Sequence, residues 1–100
     1  MSMKHIVNQL NKAFENRIRL GIMSILIVNE HVSYNRLKEL LGVTDGNLAS
    51  HLKALEKLKY IIVEKSFVNR KPHTSYDVSQ AGRNAFQEHL DALENLLKTK

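Results

Sequence analysis

The stretch "VTDGNLASHLKALEKLKYI", residues 43–61, begins with turn chemistry and passes into a leucine rhythm at Leu48, Leu52, Leu55 and Leu58. Apolar residues at this spacing mark a helix with one face in a core. Thr44 can cap its start, so the helix is expected over roughly residues 45 to 58. With the leucines turned inward, Thr44, Asp45, Gly46, Asn47, Ser50, Lys53 and Lys57 are left facing outward. Gly46 carries no side chain, so a phosphate or base edge can come close. Asn47 has the amide geometry that pairs bidentately with adenine, Ser50 can donate or accept, and Lys53 and Lys57 suit phosphates. A plain solvated helix face would also carry Lys, Asn and Ser, so what stands on either side has to decide.

Upstream, Ser33 can cap a helix over "YNRLKELL", with Leu37, Leu40 and Leu41 inward, and Gly42 supplies the left-handed residue that ends it. So short a connection between two helices is the spacing of a helix-turn-helix. Downstream, "IIVEKSFV" is β-branched and aromatic, "NRKPH" reads as a turn set by Pro72, and "TSYDV" reads as a second strand. The pair is a β-hairpin with Arg70 and Lys71 at a basic tip and His73 in reach of phosphate. Before the helix-turn-helix, Ile6, Leu10 and Phe14 suggest a short amphipathic helix, and residues 16 to 29 a deeply buried one with Ile18, Ile22, Ile25 and Leu26 inward. Ser79 can cap a last helix to about Leu97.

The expected fold is therefore mainly α with a small β-hairpin wing, a winged helix-turn-helix, as a single domain over residues 1–100. In that fold the second helix of the helix-turn-helix enters the major groove of DNA, and the wing lies along the backbone or in the minor groove. The charge agrees. The chain of 100 residues has a formal net charge of +5, and residues 35 to 73 hold eight Lys and Arg against four Asp and Glu. An anionic partner is implied, and the basic excess falls on the segment expected to meet it.

Other functions find little to stand on. There is no cysteine, which rules out disulfides and thiolate metal sites and fits a reducing cytosol. The longest apolar run, "LGIMSILIV", is too short to span a membrane and follows arginines, unlike a signal peptide, so a cytoplasmic protein is expected. His5, His31, His51, His73 and His89 show no i, i+3 or i+4 pairing, so no metal site is expected, and His51 reads as a packed, hydrogen-bonded residue. The carboxylates Asp45, Glu56, Glu64, Asp77 and Asp91 are scattered over separate elements, and no glycine-rich phosphate loop is present. Neither an enzyme nor a cofactor is expected.

The last helix carries a stripe, Phe86, Leu90, Leu93 and Leu97, and the N-terminus carries Ile6, Leu10 and Phe14. Exposed apolar stripes mark contacts, so both are expected to form a two-fold dimer interface. The alternative is that both fold back on the chain's own core.

The segments "RLGIMSIL", "LGVTDGNLASHLKALEKLKYI" and "NRKPHTSYDVSQAGRNAF" together resemble the small winged-helix transcriptional regulators related to the MarR and ArsR families. The resemblance covers roughly residues 14 to 88. It rests on the "LxxHLxxLE" core, the "RKPxTxY" wing and the "SxxG" start of the last helix. It implies a homodimer bound to a palindromic operator, with Thr44, Asn47, Ser50 and Lys53 facing DNA and Arg70 and Lys71 on the wing. Relatives usually have Gly where Lys59 stands, so the recognition helix is expected to end differently here. The metal ligands of the metal-sensing ArsR branch are missing. The reading is a homodimeric, sequence-specific regulator that binds double-stranded DNA. Its rivals are a winged helix used for protein–protein contact, which would carry apolar residues on the outer helix face, and RNA binding. For the latter, Tyr34, Tyr60 and Tyr76 fall at core positions instead of forming a stacking platform.

Overall fold

A computed structural model describes residues 2–99. Helix α1, Met3–Val7, leads through a single 3-10 turn, Lys12–Phe14, to α2, Arg17–Val28. A two-residue strand β1, Val32–Ser33, precedes α3, Tyr34–Leu41, and α4, Asp45–Lys57. The hairpin is β2, Ile61–Val68, and β3, Lys71–Val78, and α5, Gln80–Lys98, closes the chain. The strands form one antiparallel sheet in the order β1-β3-β2.

Side-chain caps start each helix. Ser33 accepts from the Arg36 backbone N–H, Thr44 from that of Asn47 and Ser79 from that of Gly82. Gly42, at φ 61°, ends α3 in the left-handed conformation a glycine adopts without strain. Ile22, Met23 and Leu26 of α2, Leu37 of α3, Leu48, Leu52 and Leu55 of α4, Ile61 and Tyr76 of the sheet, and Phe86 of α5 make one core with Phe14. Tyr34 and Tyr60 are half-buried around it, whereas Leu40 and Leu58, expected inward, are exposed at the ends of their helices.

Several expectations need correction. The single N-terminal helix over Ile6, Leu10 and Phe14 is broken: α1 ends at Val7 with Asn8 as its C-cap, and Asn11 caps a separate 3-10 turn by accepting from the Ala13 N–H at 2.9 Å. The break turns Phe14 into the core against Tyr60, Phe86 and His89, with ring centroids 5.3–5.6 Å apart. Ile6, Phe14 and Phe86 are each no more than 6% exposed within one protomer. They are core residues and not the dimer face expected of them. The wing turn is also shorter than "NRKPH". Asn69 and Arg70 alone form the tip, both at positive φ (53° and 66°), while Lys71 and Pro72 already belong to β3. Two left-handed residues in a two-residue loop give the type I′ hairpin whose twist matches the strands. Pro72 is tolerated because β1 pairs only as far as Ser75, so no neighbouring strand asks for its missing N–H.

Strand β1 went unrecognised because two residues carry no periodicity. It is held by His31, which sits at φ 48° and donates its backbone N–H to Asp77 Oδ1 at 2.8 Å, with its ring nitrogen 2.7 Å from Oδ2.

The end of α4 differs from expectation in an informative way. Lys59 does adopt the left-handed conformation, at φ 63°. Its N–H donates to the Glu56 carbonyl at 2.9 Å, and the Tyr60 N–H reaches back to Leu55 at 3.1 Å. This is the Schellman arrangement normally built on glycine. Ser79 completes the joint. Its hydroxyl donates to the Lys59 carbonyl at 2.6 Å, and its N–H donates to the Tyr60 carbonyl at 3.0 Å. Gly82 lies so close that a Cβ there would stand 2.0 Å from the Tyr60 carbonyl oxygen.

Two substitutions test this joint. Gly82→Ala forces α5 off the end of α4 and should cost about 1–3 kcal/mol. Lys59→Gly relieves left-handed strain at the expense of unfolded-chain entropy and should stabilise by about 0.5–1 kcal/mol. Urea unfolding of both variants checks the pair, and a Lys59→Gly chain less stable than the parent contradicts the account.

Candidate nucleic-acid interface

The interface is built on α4. Leu48, Leu52 and Leu55 are essentially fully buried, and their spacing sets the rotation of the helix. Gly46, Asn47, Ser50, Lys53 and Lys57 consequently stand exposed on the opposite side, with Thr44 exposed at the cap. A Cβ added at Gly46 would meet nothing within 4 Å, so packing does not require the glycine there.

The tilt of α4 is set from both sides. At its start, Lys38 Nζ of α3 lies 3.1 Å from Asp45 Oδ2, and the Tyr34 hydroxyl donates to the Asp45 carbonyl at 3.1 Å. Burial and the neighbouring carboxylate of Asp45 raise the Tyr34 pKa, which keeps its proton available for that bond. Asp45, expected among the DNA-facing residues, is thus engaged within the protein, and its charge is balanced by Lys38. Further along, Arg19 of α2 donates from Nε to the Ala13 carbonyl at 2.7 Å and lies 3.0 Å, through Nη1, from His51 Nδ1. An arginine only donates, so the His51 nitrogen accepts and its ring proton sits on Nε2. His51 is thereby the packed, hydrogen-bonded residue expected of it.

The wing supplies the second basic group. Lys65, Arg70 and Lys71 are exposed, and none of them, nor Lys53 or Lys57, has an ion-pair partner among the described residues. His73 is placed differently from Arg70 and Lys71. It is half-buried on β3, where it lines an open cleft of about 580 Å³ together with Ile25, His31, Arg36 and Leu40. Among the described residues no group of three or more His, Cys, Asp or Glu could hold a metal ion, and no helix is long and apolar enough to cross a membrane.

A recognition helix held at both ends beside a basic hairpin is the arrangement of a DNA-binding domain. The family model described as a winged helix DNA-binding domain matches residues 18–97. The chain belongs to the winged helix DNA-binding domain family. It is a family of DNA-binding domains, not of enzymes. An uncharacterised protein of Methanocaldococcus jannaschii is 34% identical over 87 residues, covering 87% of this chain and 95% of that one. Among solved structures, the transcriptional regulator homologue from Pyrococcus horikoshii superposes with a TM-score of 0.83 at 26% identity, over 96% of this chain and 93% of that one. A putative MarR-like transcription regulator from Bacillus cereus follows the same fold with a TM-score of 0.70 at 20% identity, over 96% and 72% of the two chains. An ArsR family regulator shares it at 0.59 and 12% identity, over 97% and 95% of the two chains. The likeness in fold to the MarR-like and ArsR structures, expected from three segments, thus extends over almost the whole chain.

His89, in the sequence only one of five histidines without metal-ligand spacing, has a structural role. It is buried on α5, and its Nδ1 accepts the Asn11 backbone N–H at 2.9 Å. The Asn11 amide in turn donates to the Tyr60 hydroxyl at 3.1 Å. His89 follows Phe86 by three positions, a signal that would have placed it on the buried side of α5. Burial lowers the pKa of His89, partly opposed by Glu15, and burial beside Arg19 lowers that of His51. Both rings fold in the neutral form, so below about pH 6.5 the unfolded chain binds more protons than the folded one. Stability should be fully present above that pH and should fall as acid is added. His89→Gln keeps an acceptor that does not titrate and should flatten part of the slope. Thermal unfolding between pH 7.5 and 5 reads the effect, and a melting temperature independent of pH over that range contradicts it.

Proposed function

We propose that the protein is a transcriptional regulator that binds double-stranded DNA sequence-specifically as a homodimer, in the cytoplasm. The observation that carries this reading is the outer face of α4. Between Gly46 and Lys57 it presents amide, hydroxyl and ammonium groups, and none of its lysines is engaged in an ion pair. Asn47 and Ser50, near the N-terminal end of the recognition helix, are the base-reading residues, and Lys53, Lys57 and Thr44 hold phosphates. Gly46 lets the backbone approach. Asp45 positions the helix through Lys38 and Tyr34 instead of meeting DNA. The outer face lacks the large apolar side chains that a protein-docking version would present, and this weighs against the protein–protein rival.

The wing adds contacts of a different kind. Asn-Gly is the favoured pair for a type I′ tip, yet the second position here is Arg70, held at φ 66°. Backbone strain kept at an exposed basic residue supports a contact made by that side chain. Lys71 follows on the first residue of β3 and suits phosphate, while His73 serves the base of the wing.

The dimer rests on α5 and α1. The stripe Phe86, Leu90, Leu93 and Leu97 runs along one side of α5, but only Phe86 enters the core. Helix α1 packs on α5 along the neighbouring flank, where Ala92 is buried, and leaves Leu90 and Leu93 each 40% exposed and Leu97 89% exposed. Leu10 is half-buried next to this arm, and Met3 and Val7 are exposed on α1. The molecule measures 57 × 25 × 21 Å, and its length leaves this arm accessible to a second copy. Two-fold pairing of the arms would present two recognition helices to successive major grooves, about 10 base pairs apart.

Three measurements test these assignments on a site selected from a random duplex library. Asn47→Ala should cost about 1–3 kcal/mol on that site and little on a scrambled duplex, whereas Lys71→Ala should weaken both alike and make the salt slope shallower by about one unit per contact. If Lys71→Ala erased the preference while Asn47→Ala left it intact, the reading helix would be misassigned. Gly46→Ala should leave folding intact or slightly improved, since the methyl meets nothing in the protein, and should still weaken operator binding. Leu93→Glu should yield monomers in sedimentation and reduce operator affinity, and a monomeric parent protein would remove the dimer.

A further inference from the structure

The hairpin is paired from Ile61 opposite Val78 to Val68 opposite Lys71. Its first rows enter the core, but every residue of β2 from Glu64 onward is exposed. Phe67 is 77% exposed and Val68 51% exposed, within two residues of the tip. Direct partners share one face of a sheet, so Phe67 and Pro72 form a cross-strand pair on the same side. In a two-residue hairpin the row next to the closing pair is a non-hydrogen-bonded one, in which facing side chains come closest. The wing thus ends in an apolar blade, Phe67 stiffened by Pro72, and the blade is flanked by Lys65, Arg70 and Lys71. Neither the core nor the hairpin fold requires an aromatic at that position.

We propose that Phe67, backed by Pro72, is a wedge that enters the minor groove beside the wing, partly unstacks one base step and bends the duplex. The inference rests on the DNA-binding reading above and adds a recognition mode to it. Charge complementarity selects the occupant, because Lys65 on the same face as Phe67, Arg70 at the tip and Lys71 on the opposite face carry no ion-pair partner among the described residues, so the apolar pair sits within a basic tip that suits a phosphate-lined groove. Groove size points the same way. Two strands about 4.8 Å apart with their side chains exceed an undeformed minor groove of about 6 Å, so the tip enters only if the groove opens. Apolar side chains between base pairs open it in this way, bending DNA toward the major groove. Pyrimidine–purine steps unstack most readily, so such a step is expected under each wing of the preferred site.

The test uses the full chain, the selected duplex labelled with a dye at each end, and the substitutions Phe67→Ser and Phe67→Trp. Phe67 is 77% exposed, so both variants should fold, which circular dichroism checks. The parent protein should shorten the end-to-end distance of the duplex. Phe67→Ser should restore most of that distance, lose affinity by about tenfold, the scale of one aromatic–base stack, and lose the preference for a flexible step under the wing. Its salt slope should be unchanged, since no charge is removed. Phe67→Trp should retain the bend. The chain has no tryptophan of its own, so its fluorescence reports the site directly and should be quenched on stacking. If Phe67→Ser binds within twofold of the parent and bends the duplex equally, the wedge is excluded while the DNA-binding reading stands. A blue shift of Phe67→Trp on anionic phosphatidylserine vesicles, without quenching on duplex, would assign the blade to a lipid surface and overturn the proposal. A parent chain that binds no duplex would remove the DNA-binding reading itself.

Discussion

The rest of the structure depends on the joint at Lys59 and Tyr60. Helix α4 ends there, β2 begins there, and α5 starts against it. The Lys59 carbonyl accepts from the Ser79 hydroxyl and the Tyr60 carbonyl from the Ser79 N–H. Gly82 brings α5 against the same carbonyl, and the Tyr60 hydroxyl accepts from Asn11, whose own N–H is taken by His89. A handful of backbone groups, which could not be left unpaired once buried, therefore bind the recognition helix, both ends of the wing hairpin, the C-terminal helix and the N-terminal segment.

Orientation of α4 is held as firmly at its other end. Lys38 and Tyr34 of α3 hold Asp45, and Arg19 of α2 meets His51 in the middle. These are modest, partly exposed interactions, each worth little alone. Their effect is geometric. They hold α4 in one rotation and tilt against α2 and α3. They also separate the cations by role. Arg19 and Lys38 are used within the protein, whereas Lys53, Lys57, Lys65, Arg70 and Lys71 are not.

Among the described residues, four that are not glycine, His31, Lys59, Asn69 and Arg70, take positive φ. Each sits where a chain reversal joins the helices to the sheet or closes the wing. At His31 the strain is offset by two bonds to Asp77, and at Lys59 by the Schellman bonds and Ser79. Arg70 has no such compensation from a side-chain hydrogen bond among the described residues, and it stands at the wing tip.

By itself the sequence determined helices α2 to α5, the caps at Ser33, Thr44 and Ser79, the short turn between α3 and α4, the hairpin strands and the rotation of α4. These follow from local rules, since side-chain periodicity and capping chemistry act over a few residues. The polar face of α4 and the basic wing tip were legible for the same reason. Tertiary structure decided what periodicity cannot carry. Phe86 and Leu90 belong to one stripe on α5, yet one is core and the other exposed, because the separate 3-10 turn capped by Asn11 brings Phe14 against Phe86. Asp45 faces outward by periodicity, and it meets Lys38 only because α3 packs beside it. His89 became an acceptor because a backbone N–H 78 residues away has no other partner, and β1 exists only because β3 offers it an edge. In each case the deciding partner lies far off in the chain, and only the packed fold specifies which distant groups meet.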